Sequence, residues 1–306
     1  MQRWKIGSAV VTRIEEQLGP GSFAPSQYFS GFEPEVLARN LDWLVPNHYL
    51  PEVDAIVTSV HSWLIQTGRH TILLDCCSGN HKDRHWWPRF HMLDTPFLQR
   101  LAQAGVTPGQ VDYVMCTHLH ADHIGWNTRL QDGRWVPTFP NARYLFSKTE
   151  CEHWDPLLNP EGADDPHRRI AWQDSVLPVI EAGLAERVSG PHAVGEGLLI
   201  EDAPGHTPGH ILLKLQDRAG GGVFCGDVIH HPLQLCAPHW NSQFCADPQQ
   251  ARATRRRVLE HCADSGHLLL PTHFGAPHVV RVRPDGAVFR PEFVDPGLMM
   301  GLGNVA

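Results

Sequence analysis

The sequence lacks the features of a membrane or secreted protein. It has no apolar run that approaches the ~18 residues needed to cross a bilayer, so we expect no membrane-spanning helix. Its first residues, Met1 to Ile6, lead into an alternating segment without the apolar core and cleavage site of a signal peptide. We therefore expect a cytoplasmic protein that does not act at a membrane.

Positive charge is also scarce. The chain has 25 Lys and Arg against 33 Asp and Glu, a formal net charge of −8, and a single basic run at Arg255 to Arg257. Surfaces that bind nucleic acid need clustered positive charge. The basic run lies in a predicted helix, where a solvated face explains it. We expect no nucleic-acid partner and instead a small-molecule substrate, and a homodimer is compatible with the sequence.

Patterned cysteines are missing, whereas histidine is in excess. The 8 Cys have no regular spacing and no Cys-x-x-Cys pair, which excludes a disulfide scaffold and disfavours a structural zinc site. The 306 residues include 21 His, more than an acidic globular chain needs. The histidines are therefore the first candidates for chemistry.

Strand-like and helical segments alternate along the chain, which predicts an α/β fold. We found no repeat or low-complexity linker, so we expect one domain over residues 1–306, with irregular loop insertions at about 19–51 and 78–91 that shape a pocket. Helices are predicted at Pro34 to Asn40, Thr95 to Ala104, Asp165 to Ala182 and Pro248 to Cys262. Strands are predicted at Ala9 to Glu15, Ala55 to Gln66, His70 to Asp75, Val111 to Cys116, Arg143 to Phe146, Leu198 to Asp202, His210 to Leu215, Gly222 to Cys225, His267 to Leu270, Val279 to Val282 and Val288 to Arg290.

One motif carries most of the chemical information. The string THLHADHIG begins at Thr117, directly after a predicted apolar strand. His118 and His120 are two residues apart, so in an extended chain both imidazoles project to the same side. Asp122 and His123 follow as the chain turns into a helix. Four ligand-type side chains thus meet at the C-terminal end of a strand, where open α/β sheets place their sites.

Three later segments follow the same pattern, in which an apolar strand delivers a His or Asp at a turn. They provide His206, Asp227 and His273. The total of five His and two Asp is enough for two divalent metal ions, and this mixture of imidazole and carboxylate suits Zn, with Mn, Fe or Co also compatible.

The ordered set from His118 to His273 resembles the metallo-β-lactamase superfamily of metallohydrolases, over about residues 55–274. The resemblance implies an αββα sandwich, in which two mixed β-sheets lie between outer helices and hold a dinuclear metal site at their shared edge. It places His118, His120 and His206 on one metal and Asp122, His123 and His273 on the other. Asp227 would bridge the two.

The presence of Asp227 makes the chain look more like the lactonase and methyl-parathion-hydrolase-like branch than like the true β-lactamases. We therefore expect a hydrolase that cleaves a lactone or ester by attack of a metal-bridging hydroxide. Asp122 is the candidate catalytic residue, which would pass a proton to the leaving alkoxide while it binds metal.

Other activities share the same ligands. Organophosphate hydrolysis and β-lactamase-like activity stay open, because phosphotriesters and lactams also present a polarised centre to such a cluster. An iron-dependent redox enzyme of the same fold is the alternative from another class. A noncatalytic binding role is disfavoured, because none of the seven positions is missing.

The irregular loops supply candidate pocket residues. Aromatic walls suit an apolar ester or lactone, although aromatic side chains also pack in ordinary cores. His210 is expected to support His206. The candidates for the substrate pocket are Trp86, Trp87, Trp126 and His230, with Trp43 and Phe90 beside them.

Overall fold

Strands and helices alternate through most of the chain. The computed structural model describes residues 1–160, 166–195, 197–218 and 220–297. Its strands are β1 (Arg3–Ile6), β2 (Ala9–Pro20), β3 (Phe29–Ser30), β4 (Tyr49–Leu50), β5 (Ala55–Gln66), β6 (Thr71–Leu74), β7 (Tyr113–Met115), β8 (Thr128–Gln131), β9 (Arg134–Pro137), β10 (Arg143–Ser147), β11 (Ala185–Val188), β12 (His192–Gly195), β13 (Leu198–Asp202), β14 (Ile211–Asp217), β15 (Gly220–Gly226), β16 (Asn241–Ser242), β17 (Leu268–Pro271), β18 (Val280–Asp285) and β19 (Val288–Phe293). Its helices are α1 (Pro25–Tyr28), α2 (Pro34–Arg39), α3 (Leu41–Leu44), α4 (Phe97–Gln103), α5 (Ala121–Ile124), α6 (Lys148–Trp154), α7 (Pro166–Ser175), α8 (Leu177–Glu181), α9 (Leu233–Cys236) and α10 (Pro248–Ser265).

Two mixed sheets organise these elements, and each sheet is built from one continuous half of the chain. The first has the order β1-β2-β5-β6-β7-β10-β11, with β4 paired to β5. The second has the order β12-β13-β14-β15-β17-β18-β19. The pairs β6/β7, β7/β10 and β10/β11 are parallel, as is β15/β17. The last strand of the first sheet ends at Val188, and the second sheet begins at His192.

Three apolar layers hold the sheets and helices together. Side chains such as Trp63 and Phe224 fill the space between the two sheets. The outer face of the first sheet packs against α4, α7 and α8 through residues such as Phe97, and the outer face of the second packs against α10 through residues such as Val258. The order helix, sheet, sheet, helix confirms the predicted α/β sandwich with mixed sheets.

The strand predictions agree well with the structure where the sequence is most apolar. Strand β5 spans Ala55–Gln66 as predicted, and its residues are buried on both faces until Gln66, as expected for a central strand. It pairs antiparallel with β6, so the predicted hairpin is confirmed. The hairpin β8/β9 and helix α6 were not predicted.

The sequence predicts one continuous helix from Asp165 to Ala182, and this prediction is wrong because the segment forms two helices. Asp165 itself lies outside the described residues. Helices α7 and α8 are separated at Val176, and Pro178 lies in the first turn of α8. Proline lacks an N–H and its ring clashes with the carbonyl four residues earlier, which here is that of Asp174. That carbonyl instead accepts a hydrogen bond from Lys82 Nζ at 2.8 Å.

The segment predicted as an irregular insertion at about 19–51 contains three short helices. Its apolar side chains, among them Tyr28 and Leu44, form a separate cluster with Trp240 and with Leu233 of α9. The segment is thereby fixed beside α9, which follows β15 of the second sheet. None of the helices in the described ranges is long and apolar enough to cross a membrane.

Candidate metal centre

The seven predicted ligands meet at one edge shared by the two sheets. In the first sheet, β6 and β7 are parallel, so the loops after Leu74 and Met115 leave from the same side. In the second sheet, β15 and β17 are parallel, and the turns after them carry Asp227 and His273. Parallel pairing is therefore what brings side chains distant in sequence to one place.

One group consists of His118, His120, His206 and Asp227, whose ligand atoms all lie within 4.8 Å of one another. The His120 Nδ1 atom is 2.9 Å from Nε2 of His118 and 2.9 Å from Nε2 of His206. Asp227 Oδ2 lies 3.3 Å from the His206 nitrogen and 3.8 Å from the His118 nitrogen.

The second group consists of Asp122, His123 and His273, within the same limit. The Nε2 atoms of His123 and His273 are 3.2 Å apart. Asp227 Oδ1 lies 3.4 Å from the first of these nitrogens and 3.1 Å from the second. The Asp122 oxygens lie 3.8 and 3.7 Å from the same two nitrogens. One carboxylate, that of Asp227, therefore faces both groups, with one oxygen toward each.

These contacts fit bound cations better than they fit hydrogen bonds. His123 Nδ1 is 2.9 Å from Asp75 Oδ2, and His273 Nδ1 is 2.8 Å from the carbonyl oxygen of Ser59. Both partners only accept, so both Nδ1 atoms carry the proton of the neutral ring. The two Nε2 atoms then face each other with lone pairs, an arrangement that a cation between them would stabilise.

The first group supports the same conclusion. Thr117 Oγ1 donates to Asp75, and so accepts from His118 Nδ1 at 3.1 Å, which leaves His118 Nε2 with a lone pair. His120 Nδ1 has at most one proton and cannot donate to both of its imidazole neighbours. In a tetrahedral site with Zn–N near 2.0–2.1 Å, neighbouring ligand atoms lie about 3.3 Å apart. The observed separations scatter around that value, so the residues present fit a divalent metal.

Burial and charge act differently on the imidazoles of the two groups. Burial lowers the pKa of His118 and His206 well below the usual range and that of His120 to about 4, so these rings are neutral and able to ligate. Burial also opposes protonation of His123 and His273, but Asp227 outweighs it and raises the pKa of both. Without a cation, protons would balance the carboxylates there.

Asp75 was missed by the sequence analysis. It is fully buried, adopts a φ of 56°, and accepts from the backbone N–H and hydroxyl of Thr117 and from the hydroxyl of Thr272. With its contact to His123, it joins the loops that follow β6, β7 and β17. The available signal was an aspartate at the end of a predicted apolar strand.

Glu150, at the start of α6, was also missed. Its buried carboxylate accepts from the backbone N–H groups of Leu119 and Gly209 at 3.1 and 2.8 Å and from Trp154 Nε1 at 2.7 Å. The loop that carries His118 and His120 is thereby tied to the loop that carries His206.

His210 contacts the His206 ring edge to face, with ring centroids 6.2 Å apart, and it also contacts two other predicted ligands. Its Nε2 accepts from the backbone N–H of Asp227 at 3.1 Å, and its ring stacks on that of His118. The preceding Gly226 has a φ of 48°, and a Cβ there would lie 2.6 Å from Thr117 Oγ1 and 2.8 Å from His210 Nε2. The turn that presents Asp227 thus requires glycine.

A pocket of about 280 Å³ opens on the metal-ligand groups. Of the candidate pocket residues, Trp86, Trp87, His230 and Phe90 line it. Phe23, Tyr28 and Phe244 complete the aromatic wall and were not predicted. His230 is buried, and neither of its ring nitrogens makes a hydrogen bond within the described part of the chain, although Nε2 lies 3.2 Å from Asp227 Oδ2.

Two predicted aromatic positions are wrong. Trp126 is buried in the core beneath the first sheet, where its ring stacks on Phe97 and its Nε1 donates to Glu16 Oε1 at 2.7 Å. Trp43 packs against His48 and Phe293. Both loops have apolar neighbours below them, so the protein itself buries the indole of Trp126 and partly buries that of Trp43.

Comparison with known proteins identifies the family. The model of the metallo-beta-lactamase superfamily matches residues 55–273, most of the chain, so the protein belongs to this superfamily. The N-acyl homoserine lactonase AiiA of Bacillus thuringiensis subsp. kurstaki is 27% identical over 123 residues, which are 40% of this chain and 40% of that protein. Metallo-beta-lactamase domain-containing protein 1 of Rattus norvegicus is 32% identical over 187 residues, 60% of this chain and 58% of that protein. The matches thus span about half the length of these curated relatives.

Solved structures resemble the chain over nearly its whole length. The hydrolase AbOPH of the beta lactamase superfamily superposes with a TM-score of 0.79 at 23% identity, covering 96% of this chain and 97% of that one. AidC, a dizinc quorum-quenching lactonase, superposes with a TM-score of 0.75 at 21% identity, covering 96% and 97%. At these identities the similarity establishes the metallo-β-lactamase fold.

Proposed function

We propose that this member of the metallo-beta-lactamase superfamily is a hydrolase of lactones or carboxylic esters that works with two divalent metal ions, Zn first among them. The observation that carries the proposal is the position of Asp227, whose Oδ2 faces the first imidazole group and whose Oδ1 faces the second. N-acyl homoserine lactonases among the relatives support the substrate class.

The seven ligand side chains have a defined division of labour in this proposal. His118, His120 and His206 would hold one ion, Asp122, His123 and His273 the other, and Asp227 both. Two such ions would polarise a substrate carbonyl and lower the pKa of water enough to supply hydroxide near neutral pH.

Asp122 is the proposed proton carrier. It lines the pocket, and its side chain is 19% exposed, whereas that of Asp227 is 6% exposed. A carboxylate that reaches the substrate can accept the proton released by the attacking water and deliver it to the leaving alkoxide. His230, with two unsatisfied ring nitrogens in the same pocket, can donate a hydrogen bond to a substrate oxygen.

The aromatic wall supports an apolar acyl or aryl group. Phe23, Trp87 and Phe244 contact one another with ring centroids 5.5 to 6.0 Å apart. Such a surface binds hydrocarbon and displaces water from the reacting carbonyl.

A hydrolysis panel tests the proposal. Protein loaded with Zn, Mn or Co would be assayed on N-hexanoyl homoserine lactone, a 4-nitrophenyl ester, a paraoxon-type triester and a chromogenic β-lactam. We expect turnover of the lactone and the ester. Activity confined to the β-lactam or to the triester would contradict the assignment and favour the corresponding alternative.

Variants separate the metal centre from adventitious activity. Asp227→Asn should lower kcat/KM by about tenfold or more, because it weakens the carboxylate that faces both groups. Asp132→Asn, at an exposed turn, is the matched control and should leave kcat/KM unchanged. Full activity of the metal-free double variant His118→Ala/His120→Ala would refute a metal-dependent reaction.

A further inference from the structure

The pocket contains a guanidinium that has no acidic partner. Arg89 lines the pocket and donates from Nε to Gln17 Oε1 at 3.2 Å, and from Nη1 to the Pro20 carbonyl at 3.0 Å. It also donates to the hydroxyl and the carbonyl oxygen of Thr58 at 2.7 and 2.9 Å. All of these acceptors are neutral. They use four of the five N–H groups of the side chain, which leaves one N–H on Nη2 free.

No carboxylate among the described residues lies within ion-pair distance of Arg89. Asp122 attracts it from further away and opposes the effect of burial, which lowers the pKa of Arg89. In the proposed enzyme the charge of Asp122 belongs to the metal centre. The positive charge of Arg89 is therefore not balanced by the protein around it.

A second arginine lines the same pocket but has a carboxylate partner of its own. Arg84 also lines the pocket and is fully buried, and it forms a bidentate ion pair with Asp174 at 2.7 and 2.8 Å. Asp174 is shared with Lys82, whose Nζ lies 3.6 Å from its Oδ1. Arg84 Nε has no hydrogen-bond partner in the described ranges.

The positive charges of Arg84 and Arg89 exceed the negative charge of Asp174 even when Lys82 is left out. Burial lowers the pKa of Lys82 to about 7, so it carries part of a charge at neutral pH. Asp174 pairs with Arg84, so it does not balance the charge of Arg89. An unpaired charge in a pocket with aromatic walls costs free energy that a bound anion would offset.

We propose that Arg89 forms an anion-binding end of the pocket, which selects substrates whose acyl chain carries a carboxylate. A guanidinium N–H binds a carboxylate oxygen through a charge-assisted hydrogen bond, which is stronger than one between neutral groups. Trp86 and Trp87, which lie between Arg84 and Arg89 in the sequence and line the pocket, would contact the methylene groups of the substrate's acyl chain. This inference rests on the proposed ester or lactone hydrolysis and adds a substrate class to it.

The test compares two esters that differ in one charge, 4-nitrophenyl pentanoate and mono(4-nitrophenyl) glutarate. The measured quantity is the ratio of kcat/KM for the glutarate ester to kcat/KM for the pentanoate ester. The wild-type protein should prefer the glutarate ester, and Arg89→Gln should lower the ratio by about tenfold or more, as expected for loss of a charge-assisted hydrogen bond.

Two further variants control for folding and for net charge. Arg89→Lys keeps the charge and should retain most of the preference, which a purely structural role of Arg89 would not predict. Arg129→Gln removes an exposed charge on β8 and should leave the ratio unchanged. An unchanged ratio in Arg89→Gln, or a wild-type preference for the pentanoate ester, would overturn the inference while hydrolysis of the pentanoate ester would still support the proposed function.

A binding measurement decides the matter if neither ester is hydrolysed. Trp86 and Trp87 line the pocket, so quenching of tryptophan fluorescence by pentane-1-sulfonate reports occupancy without turnover. We expect the metal-loaded wild-type protein to bind the sulfonate more tightly than pentan-1-ol, and Arg89→Gln to bind it about tenfold more weakly. Equal affinity of the wild type and Arg89→Gln for the sulfonate would refute the anion-binding end.

Discussion

Three of the five imidazoles of the metal centre are oriented by the contact of their other ring nitrogen. His123 donates to a carboxylate, His273 to a backbone carbonyl, and His118 to a hydroxyl. These contacts select the tautomer and the direction of each lone pair. Asp75 takes part in two of these three contacts. It accepts from His123 directly, and it accepts from the hydroxyl of Thr117, to which His118 donates.

Replacement of Asp75 tests this role. Asp75→Asn removes the negative charge opposite the His123 N–H while it keeps the size of the side chain. We expect the affinity for the divalent metal to fall by about 10- to 100-fold, measured by competition with a chromogenic chelator. Asp83→Asn, an exposed aspartate, is the control. Unchanged metal affinity in Asp75→Asn would show that His123 is oriented by packing alone.

Among single residues, the sequence identified site residues that lie together in a short string better than it identified isolated ones. His118 to His123 are recognisable because four ligand types follow one apolar strand. Asp75 and Glu150 contribute through contacts to residues more than thirty positions away. Asp75 does end a predicted apolar strand, but that pattern does not reveal which residues it contacts. Trp126 shows the converse error, because an indole on a loop packs inward when Phe97 and Glu16 lie beneath it.

At the scale of elements, α6 connects the loop that carries His118 and His120 to the loop that carries His206, through the carboxylate of Glu150. Glu150→Ala would leave the N–H groups of Leu119, Gly209 and Trp154 without their acceptor. Since each unsatisfied buried donor costs about 1–3 kcal/mol, we expect a loss of roughly 3 kcal/mol or more in the free energy of unfolding, measured in urea.

Two variants on the same helix complete this experiment. Glu150→Gln keeps an acceptor oxygen and should be less destabilised than the alanine variant. Glu152→Ala changes an exposed residue of α6 and should alter the free energy of unfolding by less than about 0.5 kcal/mol. If all three variants had the same free energy of unfolding, Glu150 would not stabilise the protein by connecting these two loops.

The loop after β6 is attached to α7 and β8 by a buried lysine. Lys82 Nζ donates to Thr128 Oγ1 at 2.6 Å and to the Asp174 carbonyl at 2.8 Å, and it lies 3.5 Å from the centre of the Trp135 ring. Burial holds the pKa of Lys82 in the folded state at about 7. A lysine in the unfolded chain titrates near ~10.4.

This difference predicts a pH dependence of stability. Between about pH 10 and 7 the unfolded chain binds a proton at Lys82 that the folded chain does not. The free energy of unfolding of the wild type should therefore fall as the pH decreases over this range, by up to ~1.4 kcal/mol per pH unit relative to Lys82→Met, and level off below about pH 7. Urea unfolding at several pH values measures it.

The exposed Lys148 provides the comparison. Lys148→Met should follow the wild type at every pH, because the side chain of Lys148 is 61% exposed. If wild type and Lys82→Met lost stability in parallel, the proton uptake would have to come from another group.

Sequence patterns predicted strand β5 well and the helix boundaries less well. Strand β5 was predicted with its full length because it contains no Gly or Pro and ends just before the turn at Gly68, whereas strand β2 continues past its predicted end at Glu15 to Pro20. The helical period continues past Ser175, but the ring of Pro178 cannot follow an intact turn. The freed Asp174 carbonyl found partners on β8 and on the loop after β6, and such tertiary compensation is not visible in a local window.

At the scale of the whole molecule, the predicted ligands are divided between the two sheets. His118 and Asp122 follow strands of the first sheet, and Asp227 and His273 follow strands of the second. Bound metal would therefore stabilise the contact between the sheets as well as the site.

Removal of metal tests this coupling. Chelation should lower the free energy of unfolding by about 4 kcal/mol relative to protein with free metal at a thousandfold excess over Kd, and re-addition of Zn should restore it. In Asp227→Asn the effect of chelation should be smaller. Identical unfolding curves with and without metal would mean that the cluster binds no ion in the folded state.

The separation of the sheets along the chain also concerns how the protein is made. A ribosome synthesises the N-terminal half first, so the strands up to Val188 and four of the seven side chains exist before the second sheet does. His273 follows the strand Leu268–Pro271, which is the last strand to supply a ligand. A nascent or truncated chain that stops before this point lacks at least one of the seven predicted ligands. Metal-dependent hydrolysis would therefore arise only in chains that have been translated through both halves.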